Sequence, residues 1–400
     1  MRRTCYLLSL LLLIGCSQAG KSSLPAVNQS GPSQATTSSQ FKVIYGFDKA
    51  ADGYIPVGTL LSLNGVLYGT TNFGGHKNSI CYPGNGCGVV FALNATTGGE
   101  SAFYDFSGVT TGARSYAGLI AMNNTMYGTT QLGGKYNKGV VFSLTTSGTE
   151  AVLHAFKGKD GEDSRAGLVA DNGVFYGTTY YGGSSRTGTV FSITPSGTEK
   201  VMHSFTGGTD GALPLSQLVA VHASPTELYG TTSTGGTYNA GTVFEIAEAG
   251  SFYSVIHSFT GGKTDGASPF AGLVEANGTL YGTTELGGRY NKGTVFSISY
   301  GGTETVLHSF GKGKDGAKPY SGLTVLNGAL YGTTAYGGTA KEGTIFEITP
   351  TGTETVLHSF SGGKGGRVPY ANLTAVNNTL YGVTIWGGPR NVGTAYELTP

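Results

Sequence analysis

The stretch Leu330-Tyr331-Gly332-Thr333-Thr334 carries one copy of a tetrapeptide that the chain repeats. Tyr-Gly-Thr-Thr begins at Tyr68, Tyr127, Tyr176, Tyr229, Tyr281 and Tyr331, and Tyr381 opens the variant Tyr-Gly-Val-Thr. Successive copies lie 49 to 59 residues apart. Self-similarity of this kind constrains the fold strongly, because each repeat must be a supersecondary unit that buries its apolar face on its neighbours. A period of about fifty is too long for ankyrin or leucine-rich units and fits a propeller. Two other phrases keep step. Gly293-Thr294-Val295-Phe296 is echoed from Gly88, Gly139, Gly188, Gly241, Gly343 and Gly393. Val306-Leu307-His308-Ser309-Phe310 is echoed in segments ending at Phe106, Phe156, Phe205, Phe259 and Phe360. The seventh copy of this phrase, Val43-Ile44-Tyr45-Gly46-Phe47, stands at the start of the array, which ends on Thr394-Ala395-Tyr396-Glu397-Leu398. That displacement predicts a ring in which the N-terminal strand 43–47 completes the last blade and removes the open edge.

Within one unit, Leu323-Thr324-Val325-Leu326 runs into Asn327-Gly328. Asn-Gly between apolar runs signals a type I′ hairpin, since both central residues need φ > 0. Leu330 to Thr334 follows as a second strand, Thr344 to Thr349 as a third, and Glu354 to Phe360 as a fourth. No long helix-periodic stretch occurs after residue 40. The chain has 69 Gly, but also 24 Tyr and 19 Phe, which a disordered chain would lack. The expected architecture is all-β: a seven-bladed β-propeller of four-stranded blades over residues 41–400. Gly-Leu-x-x-x-Asn-Gly should be innermost and Val-Leu-His-Ser-Phe outermost.

These phrases, with Asp-Gly-Ala-x-Pro-Tyr-x-Gly-Leu between them, resemble the bacterial tandem-repeat family called GloVer across essentially all of residues 41–400. The resemblance implies an exported, surface-anchored repeat protein and carries no biochemical activity with it. Likeness to kelch is distant: Gly-Gly follows the second strand, but Trp386 is the one Trp in the chain.

The N-terminus reads as an address. Met1-Arg2-Arg3 is basic and Leu7 to Ile14 is nearly all apolar, a signal peptide too short for an ordinary membrane span. Leu13-Ile14-Gly15-Cys16 resembles a bacterial lipobox, which implies cleavage after residue 15 and a diacylglycerol on Cys16. Ser17 then favours the outer membrane by analogy. Residues 16–40, rich in Ser, Gln, Thr, Gly and Ala, read as a lipidated flexible tether. Attachment to a membrane is expected through this lipid alone. Of the remaining cysteines, Cys81 and Cys87 bracket turn-forming residues, and an oxidising envelope predicts a loop disulfide. A two-Cys metal half-site is the rival, but His76 alone does not complete it.

Net charge is +1 and no basic run occurs in residues 41–400, which argues against nucleic-acid binding. Phosphate-loop, metalloprotease and nucleophile-elbow motifs are absent, and no cofactor is expected. His154, His203, His257, His308 and His358 share one strand position, with Tyr45 and Tyr104 in the other two units. A metal-binding ring of histidines would need convergence on one ion, which equivalent positions on outer strands do not offer. Packing between blades, with a Thr or backbone partner, is the expectation. Asp52, Asp160, Asp210, Asp265 and Asp315 each precede Gly in the fourth-to-first connections and read as Asx-turns or as clustered cation ligands.

Tyr116, Phe270, Tyr320 and Tyr370 precede the innermost strand and would crowd the channel mouth, as a hydrophobic plug or as a stacking platform for a sugar. The loops 72–88, 135–138, 184–187, 289–292 and 389–392 vary most, and should lie on the same face. Glu162, Asp163 and Arg165, with Arg114 and Arg367, break the repeat and are the residues an enzyme would use. The functional expectation is a monomeric, envelope-anchored binding or scaffold module for a glycan, peptide or envelope protein, with a glycan lyase or hydrolase as the alternative.

Overall fold

A computed structural model describes residues 39–47, 53–77, 81, 84–221, 226–248 and 250–400. The signal-like start, Cys16, the tether as far as residue 38, and Asp52 lie outside these residues. The chain forms a seven-bladed β-propeller of antiparallel four-stranded sheets. In the third blade Val169–Asp171, Val174–Thr179, Thr189–Ile193 and Glu199–Ser204 run from the axis outward in simple meander order. The innermost strands touch one another around a closed circle, ending with Leu61–Leu63 against Thr374–Val376.

Closure occurs as the sequence predicts. Gln40–Gly46 pairs antiparallel with Thr394–Thr399, with Val43 opposite Tyr396. Four inner hairpins turn on Asn-Gly with both residues at positive φ, as at Asn327 (52°) and Gly328 (79°). Asn123 and Asn124 achieve the same with φ of 50° and 63°.

The repeated phrase is explained by how blades fit together. Phe346, opposite Gly332 on the next strand, lies where a glycine Cβ would be: that atom would sit 2.6 Å from the ring tip and 3.0 Å from Leu323. Glycine is therefore required by a ring rather than by its dihedrals. The tyrosine of the phrase packs onto the following blade, as Tyr127 does on Phe175 with ring centroids 4.3 Å apart. The two threonines have separate tasks. The first donates to a carbonyl of the next blade: Thr70 to Ala117 (2.9 Å), Thr178 to Ser216 (3.1 Å) and Thr283 to Ser321 (2.7 Å). The second ties its own blade together, as Thr334 Oγ1 does with Thr344 Oγ1 at 2.8 Å. Where the seventh blade meets the first, Val383 replaces the first threonine and joins an apolar cluster with Phe47 and Leu60.

Apolar cores lie between blades. One joins Tyr281, Val295 and Phe310 to Leu323, Leu330 and Phe346 of the following blade. The phenylalanine that ends each outer strand is fully buried, and its N–H donates to the glycine before the third strand, as Phe310 does to Gly293 at 3.0 Å. Burying each such ring contributes on the order of 1.5–3 kcal/mol. Stability is thus distributed over seven like junctions.

Candidate functional site

The fourth-to-first and second-to-third connections share one face, as expected, because they bond to each other across blades. Lys318 N–H donates to Lys292 O (2.7 Å), Asp163 N–H to Lys138 O (3.0 Å) and Ile55 N–H to Val392 O (2.9 Å). The donating residue is left-handed in every blade: Ile55, Arg114, Asp163, Leu213, Ser268, Lys318 and Val368 have φ between 51° and 59°. For β-branched Ile55 and Val368 this is strain, held in place by the bond to the preceding blade. Sequence reading did not find this position, because seven unrelated side chains occupy it.

Two residues further on, each loop delivers a side chain to the axis. Val57, Tyr116, Arg165, Leu215, Phe270, Tyr320 and Tyr370 surround one pocket of about 120 Å³. The four aromatics picked out in the sequence do converge, and Arg165 holds the equivalent position in the third blade. Phe270, Tyr320 and Tyr370, from consecutive blades, form a continuous arc with centroid spacings of 5.4 and 5.3 Å. They narrow the mouth and leave the pocket open between them. Gln217 and Asn372 line both this pocket and a deeper channel space of about 340 Å³. Gln217 Nε2 donates to Leu168 O (2.7 Å) and Asn372 Oδ1 accepts from Gly322 N–H (2.6 Å), which fixes this polar narrowing.

Most charges here are paired. Arg165 donates through Nε and Nη2 to the two oxygens of Asp163 at 2.8 and 2.7 Å, and its guanidinium stacks 4.2 Å from the Tyr180 ring centroid. Burial works against this guanidinium, yet the Asp163 carboxylate more than offsets it and holds the pKa above its ordinary value. Arg114 bonds Asn72 Oδ1 (3.1 Å) and the Tyr116 hydroxyl (3.2 Å). Glu285 accepts from Lys318 (2.8 Å) and from the Tyr320 hydroxyl (3.2 Å). Burial first, and the Glu285 charge second, push the Tyr320 phenol upward. Burial does the same to Tyr370, whose hydroxyl also feels Tyr116 and Arg165 across the mouth.

The remaining sequence candidates lie elsewhere. Glu162 pairs with Lys138, and Arg367 lies 3.7 Å from Glu342; neither side chain lines the pocket. Cys81 and Cys87 are joined as a disulfide and fully buried. The histidines do pack between blades, but the Thr or backbone partner expected for them is corrected. His154, His203 and His308 each bond a loop aspartate, Asp160 (2.9 Å), Asp210 (3.2 Å) and Asp315 (3.1 Å), and His257 stands 3.5 Å from Asp265. These aspartates accept backbone N–H groups three to five residues earlier, as from Lys157 to Asp160 (2.7 Å) and Thr260 to Asp265 (2.7 Å), so they are not Asx-turns. The register of the outer strand slips by one residue beside each histidine, as where Val295 faces His308 but Phe296 faces Val306. This bulge aims the imidazole at its loop.

A GH74 xyloglucanase from Xanthomonas campestris is similar in structure, with TM-score 0.53 at 12% identity, over 89% of this chain and 55% of that one. A puromycin-hydrolyzing peptidase of Mycobacterium tuberculosis superposes with TM-score 0.54 at 10% identity, over 88% and 52%. This chain thus spans about half of each, and at such identity the likeness is one of fold. No curated protein matches the sequence. A family model described as the Gloeobacter/Verrucomicrobia repeat matches residues 28–225 and 220–396.

Proposed function

The chain belongs to the Gloeobacter/Verrucomicrobia repeat family, and we propose that it is a binding module whose channel mouth receives the terminal sugar of a glycan. The observation that carries this reading is the arc of Phe270, Tyr320 and Tyr370 beside a pocket of about 120 Å³. Flat rings with polar edges suit the apolar face of a pyranose. Pockets that engulf a whole drug-sized ligand measure roughly 300–1,000 Å³. This mouth therefore takes one end group rather than a chain segment. Arg165 is matched by Asp163 and Lys318 by Glu285, which favours an uncharged sugar over a strongly anionic one. The lipobox-like Gly15-Cys16 supports a further part of the proposal, that a lipid holds the propeller at the cell envelope.

The alternative, glycan cleavage, requires two available carboxyl groups flanking the bond. At the mouth Asp163 is committed to Arg165, and Glu285 to Lys318 and Tyr320. The carboxyls that burial pushes up to about 7, Glu150, Glu199, Glu304 and Glu354, all belong to outer strands.

The test is titration of the protein with neutral and acidic oligosaccharides by calorimetry, with released reducing and unsaturated ends assayed in the same samples. Saturable binding without product, weakened at least tenfold by Phe270→Ala or Tyr320→Ala, is expected. Binding unchanged in both variants, or no binding across the panel, would remove the mouth from consideration. Product formation would establish the enzyme reading instead.

A further inference from the structure

Away from the mouth, the outer strands meet in a way that the sequence pattern alone did not disclose. The histidine of one blade, the aspartate of the loop that follows it and the first glutamate of the next blade's outer strand come together. Three such groups are complete: His154, Asp160 and Glu199; His257, Asp265 and Glu304; His308, Asp315 and Glu354. In each, one ligand-type atom per residue lies within 4.8 Å of the other two. In a tetrahedral zinc site, with metal–ligand bonds of about 2.0–2.2 Å, ligand atoms stand roughly 3.3–3.6 Å apart. The His–Asp pairs are already at 2.9 to 3.5 Å, so the glutamate is the ligand that has to approach.

Burial makes each group an incomplete assembly. Glu199, Glu304 and Glu354 each have an Oε1 shut off from solvent and without a hydrogen-bond partner. In the middle group His257 Nε2 is in the same condition, facing Asp265 Oδ2 at 3.5 Å. With both carboxyls ionised and the imidazole neutral, each group would carry a charge of −2, which a dication cancels. Buried polar atoms are costly when unpaired.

The other junctions show what replaces the set when a member is missing. Next to His203 the glutamate position is taken by Tyr253, whose ring stacks on the imidazole at 3.8 Å and 1°. Next to His358 it is Phe41, stacked at 3.7 Å and 9°. Where Tyr104 stands in place of the histidine, Glu150 hydrogen-bonds the phenol. Glu150 Oε1 is also buried without a partner, but no imidazole faces it. Glutamate and imidazole thus occur together at junctions that can supply N, O and O ligands, and aromatic stacking covers the imidazole where the glutamate is lost.

We propose that these three blade junctions are binding sites for a divalent transition metal of the zinc type, each ion bridging two adjacent blades through His Nε2, Asp Oδ2 and a Glu carboxylate. A histidine among the ligands selects against calcium and magnesium, which prefer all-oxygen shells. The fourth position is left to water. At His154 it opens on a solvent pocket that Lys157 and Lys159 also line, so that site is the weakest of the three. The ions act where blades splay apart, far from the axis, and clamp the circumference of the ring.

The untagged full chain, stripped with a chelator, should be titrated with Zn²⁺ by calorimetry and with Co²⁺ by visible absorption. Expected results are three ions per chain and the intense ligand-field bands of four-coordinate cobalt. Glu199→Gln, Glu304→Gln and Glu354→Gln, which keep shape, should each lower zinc affinity at one site at least tenfold. Glu150→Gln should leave zinc binding unchanged. Zinc added to the wild-type chain should also shift the ring resonances of His257 and His308 but not those of His203. Absence of saturable binding, or a triple Gln variant that binds as many ions as the wild type, would overturn the proposal.

Discussion

Val43 and Tyr396 face each other across the antiparallel pairing that joins the first and last strands of the propeller. Phe41 on the same N-terminal strand stacks on His358 of the sixth blade, so this strand closes the seventh blade and also packs on its neighbour. Removing residues 39–47 would leave Thr394–Thr399 as a free edge and uncover Tyr396, which is fully buried. The shortened chain is expected to lose its sharp thermal transition and to associate. Appending the same segment after Pro400 through a short linker should restore a monomeric, cooperative fold. Melting curves with light scattering check both arms; a truncated chain that melts like the full one would show that closure is dispensable.

Gly332→Ala tests the reason for the repeated phrase. The new methyl would meet the Phe346 ring at 2.6 Å, in a strand whose backbone any residue can adopt. Overpacking of this kind costs about 1–3 kcal/mol. Trimming the ring in Gly332→Ala/Phe346→Leu should recover part of that loss, a non-additivity visible in a double-mutant cycle by denaturant unfolding. Equal losses in the single and double variants would assign the glycine some other role.

Glu150 sets a pH dependence. Burial pushes its carboxyl up to about 7, against 4.5 as the ordinary value, with the Tyr104 hydroxyl opposing in part. A carboxyl raised in the folded state favours folding most below its unfolded pKa. That contribution is lost as pH rises from about 4.5 through about 7. Glu150→Gln should therefore melt near the wild type at pH 5 and above it at pH 8. Parallel melting curves across that window would contradict the assignment.

The Cys81–Cys87 bond closes a short loop, with a sequence separation of 6. For a loop this small, the constraint on the unfolded chain is worth about 2 kcal/mol. Cys87 O also accepts from Arg114 N–H (2.7 Å), at the left-handed position of the next blade. Cys81→Ser/Cys87→Ser should lower the melting temperature by a few degrees and leave the far-ultraviolet spectrum intact. Proteolysis within 72–88 should quicken.

The number of blades, the strand order and the closing strand were legible in the sequence, because each rests on local grammar: apolar alternation, Asn-Gly turns, and a phrase displaced from one end to the other. The aromatic half of the mouth was legible too, since Tyr116, Phe270, Tyr320 and Tyr370 recur at one place in the unit. Arg165 stood out for its charge, and it precedes Ala166-Gly167-Leu168 as Tyr116 precedes Ala117-Gly118-Leu119, so its place in that ring was also written in the spacing. The left-handed position two residues earlier left no trace, because its dihedral is imposed by the hydrogen bond its N–H donates to the preceding blade and tolerates Ile55, Arg114 or Ser268 alike. The His–Asp–Glu groups were hidden for a related reason. Glu304 belongs to the blade after that of His257, and only the packing of one sheet against the next brings an acid and an imidazole from separate units to the same few ångströms. Periodicity reports what every unit shares. Sites at the axis and at the junctions are assembled from residues of separate units, and tertiary contact alone decides which of them meet.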